Sequence, residues 1–175
     1  MALPKLQTSE YTLTLPSTQE EIKYRPFLVK EQKILMIAQE SGNEQEITDA
    51  MANLIHNCTF GALDVNNVPM FDVEYVFLQI RSKSSGSVVT LSVICPDDEE
   101  TAVEVKINLD EIEVQRNVEH SQEIEITKDI KLNLRYPRLK DLKGLNDNFG
   151  EFEQSMIMVY ECIDSVVNGE EIITR

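Results

Sequence analysis

The sequence lacks the features of a membrane-spanning or secreted protein. No apolar run approaches the roughly 20 residues of a membrane helix, because charged residues interrupt every such run. The N-terminus has no basic segment followed by an apolar core, which a secretion signal requires. We therefore expect a protein that does not bind membranes and that is found in the cytosol.

The motifs of common enzymes and cofactor-binding proteins are also missing. Glycine-rich phosphate loops are absent, and neither His56 nor His120 lies in a sequence context typical of catalysis. The three cysteines, Cys58, Cys95 and Cys162, lie too far apart for a disulfide framework or a close-spaced zinc site. We predict no catalytic residues, no cofactor and no metal, and we interpret Cys58 and Cys162 as small core residues.

Basic residues are scarce. Sixteen Lys and Arg stand against 31 Asp and Glu, so the formal net charge is −15 at pH 7. Such a surface disfavours binding to a phosphate backbone, which requires clustered cations that release counterions. We therefore predict no direct contact with nucleic acid, and either a well-solvated surface or contact with a basic partner.

The N-terminal half has the patterns of a β-hairpin followed by helices. Alternation over residues 11–15 and 21–24 predicts two strands, and Pro26 ends the second because proline cannot donate to a strand ladder. Helical spacing predicts helices over 29–40 and 44–57, separated by Ser41-Gly42-Asn43. A third predicted helix, from Pro69 to Lys83, is apolar nearly all round, which indicates burial in the domain centre or in an interface.

The C-terminal half changes to a period of two. Strands are predicted near residues 89–93, 103–114, 124–126 and 130–134, which indicates an antiparallel sheet of about four strands. The segment Asn146-Asp147-Asn148 is typical of a capping loop before a last helix. That helix is expected to dock through one apolar stripe formed by Phe149, Phe152, Met156, Val159, Tyr160, Ile163 and Val167.

These elements predict an α+β fold with an N-terminal β-hairpin and helices, a central antiparallel sheet and a C-terminal amphipathic helix. The length suits one domain over 1–175, with sub-lobes over 1–83 and 84–175 as an alternative. No internal repeat is evident. The acidic turn Cys95–Glu100 offers oxygen ligands for a hard cation, but it lacks the ligand spacing of a calcium loop. We interpret it as a solvated hairpin tip.

The segment Tyr24-Arg25-Pro26-Phe27 has two interpretations. In one, the aromatic residues pack at a strand exit and the arginine pairs with a nearby carboxylate. In the other, the segment is an exposed anchor, because tyrosine and arginine dominate binding hot spots. The candidate interaction residues are Tyr24, Arg25, Phe27, Phe71, Tyr75 and Arg81.

Three stretches, residues 1–6, 23–33 and 70–84, also carry a family resemblance. They read MALPKL, KYRPFLVKEQK and MFDVEYVFLQIRSKS, and with them the chain resembles the baseplate hub family of T-even-like contractile-tailed phages. The resemblance implies a role in the central hub, which starts tail assembly, and other hub proteins as partners. It implies no catalytic residues. Relatives with paired cysteines at the acidic turn would form a small zinc ribbon there, whereas this chain has only Cys95.

The leading hypothesis is therefore a nonenzymatic hub protein, either a structural subunit of the tail or an assembly chaperone. It would act in the host cytoplasm during assembly, by protein–protein binding and with self-association into a homo-oligomer as an additional option. A second hypothesis is an acidic inhibitor or decoy of a nucleic-acid-binding protein, which predicts a carboxylate stripe on one face. A third is a metal-dependent enzyme, which requires carboxylates that converge in a cleft.

Overall fold

The structure is a computed structural model that describes residues 8–115, 117, 119–144, 150–169 and 171–174. Helices and antiparallel strands both occur, so the predicted α+β class is confirmed. The chain divides into two compact units. The first contains the chain up to Val65 together with Phe71–Val114, and the second contains Asn66–Met70 and the chain from Gln115 onward. The single-domain interpretation stays a prediction.

The first unit begins with the predicted hairpin and helix pair. Strands β1 (Tyr11–Thr14) and β2 (Glu21–Tyr24) pair antiparallel, with Leu13 opposite Ile22. Helices α1 (Val29–Ser41) and α2 (Glu44–Cys58) follow and pack against each other. The side chain of Asn43 accepts from two backbone N–H groups at the start of α2, which caps that helix.

Helix α3 (Met70–Ser85) forms the centre of the first unit. Val73, Val76 and Ile80 are fully buried, which confirms the predicted burial of this helix. Asp72 is also fully buried, and its carboxylate accepts from the backbone N–H and the hydroxyl of Ser17 in the β1–β2 turn. Because the carboxylate has both partners inside the unit, its burial is compensated by hydrogen bonds.

Two longer strands complete the first unit. β3 (Val88–Ile94) and β4 (Ala102–Asn108) form a separate two-stranded sheet rather than part of a four-stranded one. Residues 109–114 do not continue β4 as predicted. Instead, Asn108 accepts from the backbone N–H of Asp110 and caps a 3-10 helix over Leu109–Glu111, which turns the chain away from the strand.

The second unit contains a four-stranded antiparallel sheet in the order β5 (Glu123–Glu125), β6 (Ile130–Leu134), β7 (Ile163–Asn168) and β8 (Glu171–Thr174). A 3-10 helix over Leu139–Gly144 follows β6, and helix α4 (Glu151–Glu161) precedes β7. The β7–β8 turn uses Gly169 at φ +61°, a backbone conformation that glycine adopts without strain. Two strands of this sheet thus come from the end of the chain.

The predicted last helix is too long. Ile163 and Val167 were assigned to it, but they lie in β7, where Ile163 pairs with Leu134 and Val167 with Lys131. A spacing of four residues places two side chains on one face of both a helix and a strand, so the pattern alone does not separate them. Phe149 and the predicted capping loop 146–148 lie outside the described residues, as does the segment 1–6.

None of the helices in the described part of the chain is long and apolar enough to cross a membrane.

Gly42 provides a test of the helix termination. It ends α1 at φ +66°, and a Cβ added there would meet nothing within 4 Å. We expect Gly42→Ala to lower the free energy of unfolding by about 1 kcal/mol, because alanine is strained in the left-handed region. Gly42→Asn is the matched control and should lose less, since asparagine tolerates this conformation. Equal losses in urea denaturation would contradict the backbone explanation.

Candidate interaction surfaces

A charge pair closes the exit of β2 in the first unit. The guanidinium of Arg25 donates to both carboxylate oxygens of Glu31, at 2.7 and 3.0 Å, although the Glu31 side chain is only 5% exposed. The same carboxylate accepts from the backbone N–H of Leu28 at 2.7 Å, and the backbone N–H of Arg25 donates to the carbonyl of Cys58 at 2.9 Å. We call this set the first arginine motif. It fixes β2, the start of α1 and the end of α2 to one another.

The second unit contains the same arrangement. Arg135, one residue after β6, donates to both carboxylate oxygens of Asp141, at 2.6 and 3.0 Å. The carboxylate accepts from the backbone N–H of Arg138 at 2.7 Å, and the backbone N–H of Arg135 donates to the carbonyl of Cys162 at 2.8 Å. These residues form the second arginine motif.

The two motifs agree in the spacing of their local contacts and in the kind of their distant backbone acceptor. In each, the acid lies six residues after the arginine, the N–H that it accepts lies three residues after the arginine, and the backbone acceptor is a buried cysteine at the end of a helix. The likeness is one of hydrogen-bond geometry, and the absence of an internal sequence repeat stays a prediction. The shared positions are too few to stand out in the sequence, although Lys30-Glu31 and Lys140-Asp141 are a visible trace.

Both acids are held in their charged form. The hydrogen bonds from Arg25 lower the pKa of Glu31 below its ordinary value, against the opposing effect of burial. The hydrogen bonds from Arg135 lower the pKa of Asp141 in the same way. Ionised carboxylates whose oxygens are already occupied by arginine and backbone donors are structural groups, and they are not poised for proton transfer.

The six candidate interaction residues have different environments. Tyr24 is 2% exposed and its ring lies 5.6 Å from that of Tyr11, while Arg25 belongs to the first arginine motif. These contacts are the ones that the first of the two interpretations predicts. The other four are half-buried, and the interaction role of the set stays a prediction: Phe27, Phe71, Tyr75 and Arg81.

The acidic turn between β3 and β4 is organised by its own hydrogen bonds. Asp98 accepts from the backbone N–H groups of Glu100 and Thr101 and from the Thr101 hydroxyl. These bonds, that of the Thr101 hydroxyl first, lower the pKa of Asp98. In the described residues no group of three or more His, Cys, Asp or Glu side chains is placed to hold a metal ion.

One face of the β3–β4 hairpin is apolar and exposed. The register places Val89 opposite Ile107, Leu91 opposite Val105 and Val93 opposite Val103, so six aliphatic side chains share one face. The four residues nearest the turn are between 41 and 51% exposed: Leu91, Val93, Val103 and Val105. We call these six residues the hairpin face. Among the described strands, none pairs with either outer edge of this hairpin.

Helix α4 has a second exposed apolar surface. Phe152, Met156, Val159 and Tyr160 lie at helical spacing and are between 50 and 77% exposed, and no residue of α4 is buried. The predicted stripe therefore exists over these four residues, and its docking stays a prediction. We call these four residues the α4 stripe.

Comparison of the sequence with known protein families identifies the family of this chain. Residues 8–175 match the model of the family described as T4 bacteriophage base plate protein. The chain belongs to this family. The resemblance to contractile-tailed phage baseplate proteins is thus confirmed, while no curated protein and no solved structure gives a significant match.

The arginine motif gives a stability test for this base plate protein. We expect Arg25→Met to lower the free energy of unfolding by about 3 kcal/mol, because it leaves the buried Glu31 carboxylate without its cation. Because the folded-state pKa of Glu31 is lowered, its stabilisation is present above the ordinary pKa and is lost as the pH falls through the folded-state value. The difference in free energy of unfolding between the unchanged protein and Arg25→Met should therefore become smaller in acid.

The control for this test is the double variant Arg25→Met/Glu31→Gln. It should recover part of the lost stability, since it leaves no unpaired charge in the unit. Urea denaturation at neutral and acidic pH measures all three proteins. A double variant that is no more stable than Arg25→Met would show that the buried charge is not the cause.

The cysteines of the base plate protein give a reactivity test. Burial raises the pKa of Cys58 to about 11, and burial also raises the pKa of Cys162. Cys95 is the partly exposed one of the three. We expect one thiol to react rapidly with a disulfide reagent at pH 8, because thiolates are the reactive form. Cys95→Ser should abolish this fast phase, and a fast phase that persists would contradict the burial of the other two.

Proposed function

We propose that this base plate protein is a nonenzymatic component of the baseplate hub that acts in hub assembly by binding other hub proteins. It would meet these partners in the host cytoplasm, and it would act either as a structural subunit that stays in the tail or as a chaperone that leaves. The hairpin face carries this proposal.

A two-stranded hairpin is only marginally stable in water. β3 and β4 nevertheless extend over seven residues each and present six aliphatic side chains on one face. A partner that covered this face would remove apolar surface from water, which is favourable by about 25 cal/mol for each Å². The open strand edges add backbone donors and acceptors that an extended partner segment can pair with.

At the hairpin face, the negative charge of the chain favours binding of a different protein over binding of a second copy of the chain. The turn at the end of the hairpin face carries four consecutive acids, Asp97–Glu100, and the chain has a net charge of −15. A partner with basic residues beside an apolar patch fits this combination, because opposite charges steer association and like charges oppose it. Self-association as a homo-oligomer is thereby disfavoured at this surface.

The half-buried residues Phe27, Phe71, Tyr75 and Arg81 are proposed as secondary contacts, since aromatic and arginine side chains are frequent anchors in interfaces.

The test compares two faces of the same hairpin. Leu91→Thr/Val105→Thr removes one aliphatic cross-strand pair of the hairpin face and places β-branched threonines, which suit strands, at both positions. In a tagged pull-down from phage-infected cells, we expect the amount of hub protein recovered with this variant to fall by about tenfold or more. The matched control Val88→Thr/Ile94→Thr changes two exposed aliphatic residues on the opposite face and should bind normally.

Mass spectrometry of purified tails then separates the two modes of action. Hub partners in lysate together with the protein in tails would support a structural subunit, whereas its absence from tails would support a chaperone. Recovery of host nucleic-acid-binding proteins alone would overturn the hub proposal, and equal binding by both hairpin variants would overturn the role of the hairpin face.

A further inference from the structure

Helix α1 differs from the other helices of the first unit in the apolar groups that it exposes. The apolar side chains of α2 and α3 are all buried or half-buried. In α1, Glu31 and Ala38 are the buried residues. Four aliphatic residues of this helix are between 52 and 82% exposed: Val29, Ile34, Met36 and Ile37. We call these four residues the α1 face. Aliphatic groups that are exposed together on one helix indicate a surface that contacts another protein.

The exposed charges of α1 stand in an order that does not suit a single helix. Lys30 and Lys33 lie near the N-terminal end of the helix, and Glu40 lies near its C-terminal end. The helix dipole favours the opposite order, with acids at the N-terminal end and bases at the C-terminal end. The acid of the first turn, Glu31, is buried and paired with Arg25. Stability of the single helix therefore does not account for the exposed charges.

The same order is self-complementary when two copies of α1 lie antiparallel. Lys33, Met36, Ile37 and Glu40 follow at helical spacing, so they form one row on the exposed side of the helix. Within one helix, Lys33 and Glu40 are about 10 Å apart along the axis, which is too far for an ion pair. When Met36 and Ile37 lie at the crossing point, two-fold symmetry brings Lys33 of each copy beside Glu40 of the other. A parallel pair would instead bring like charges together.

We propose that the α1 face is the contact surface of a homodimer, in which α1 packs antiparallel against α1 of a second copy. The helix has 13 residues and is about 20 Å long, so the contact is smaller than the roughly 800 Å² per partner of a standard interface. The dimer is therefore weak, with a dissociation constant on the order of 100 µM.

The net charge of −15 does not exclude this dimer. Repulsion between the two chains is screened beyond about 8 Å at 0.15 M salt, whereas the ion pairs of the α1 contact act at short range. The exposed charges of α1 are themselves balanced between the two copies, unlike the acidic turn beside the hairpin face. The α1 face is separate from that hairpin, so the proposal does not depend on the hub assignment.

Sedimentation equilibrium of the protein between about 10 µM and about 1 mM, at about 0.15 M salt, tests the contact. We expect a reversible monomer–dimer equilibrium. Met36→Gln/Ile37→Gln should weaken it by about tenfold or more while the circular dichroism spectrum stays unchanged. Met156→Gln/Val159→Gln is the matched control, because these residues of α4 are 54 and 50% exposed and undergo the same kind of change. The control variant should associate like the unchanged protein.

Charge reversals test the antiparallel arrangement. Lys33→Glu places two acids beside each other at each end of the contact, and Glu40→Lys places two lysines there. Each single variant should therefore dimerise about threefold or more weakly than the unchanged protein. An equimolar mixture of the two variants should recover the association of the unchanged protein, since every glutamate of the contact then meets a lysine.

Three results would overturn the proposal. A protein that is monomeric at every concentration would exclude the homodimer. Equal weakening by Met36→Gln/Ile37→Gln and by its control would show that α1 is not the contact. Single charge reversals that leave the dissociation constant unchanged would exclude the antiparallel arrangement. Because the experiment contains no hub protein, each of these results would leave the hub proposal standing.

Discussion

Both units depend on a buried arginine–carboxylate pair at a strand exit. A strand that leaves a sheet has backbone groups that no longer pair with a neighbouring strand, and burial without partners would cost several kcal/mol. Arg25 and Arg135 satisfy these groups in the same way. The backbone N–H of each arginine donates to a carbonyl at a helix end, and its guanidinium donates to an acid six residues later. The pair thus fixes the direction of the chain as it passes from sheet to helix. In the first unit the pair positions β2 against the start of α1 and the end of α2. In the second unit it positions the end of β6 against the 3-10 helix and the end of α4.

The exposed apolar surfaces and the acidic charge are best understood together. The protein exposes the hairpin face and the α4 stripe, which are larger than the scattered apolar side chains of an ordinary surface. With a net charge of −15, two copies of the chain repel each other electrostatically, and this repulsion opposes association through these surfaces. A protein that binds partners through such surfaces needs both properties, since the surfaces must remain accessible without causing aggregation.

Much of the first unit could be predicted from sequence, because its signals are local. The glycine at 42, the asparagine cap and the helical spacing gave α1 and α2 to within a residue or two. The pairing of strands was harder, since β3 and β4 alternate like members of a large sheet and β7 matches a helical spacing. The arginine motifs were missed for another reason. Their function is formed by contacts across up to 33 positions, such as Arg25 with Cys58, which a local pattern does not show.

The use of a main-chain carbonyl at Cys58 and Cys162 has a consequence for how such a protein changes over time. The hydrogen bond from the arginine backbone requires a helix end at that place, but it does not require the cysteine side chain. Substitution by another small apolar residue would preserve the bond, and the acid is Glu31 in one motif and Asp141 in the other, whereas the arginine has no equivalent replacement. The motif therefore constrains very few positions of the sequence, mainly the arginine and its acid. Two segments can therefore share this hydrogen-bond geometry while having almost no residues in common.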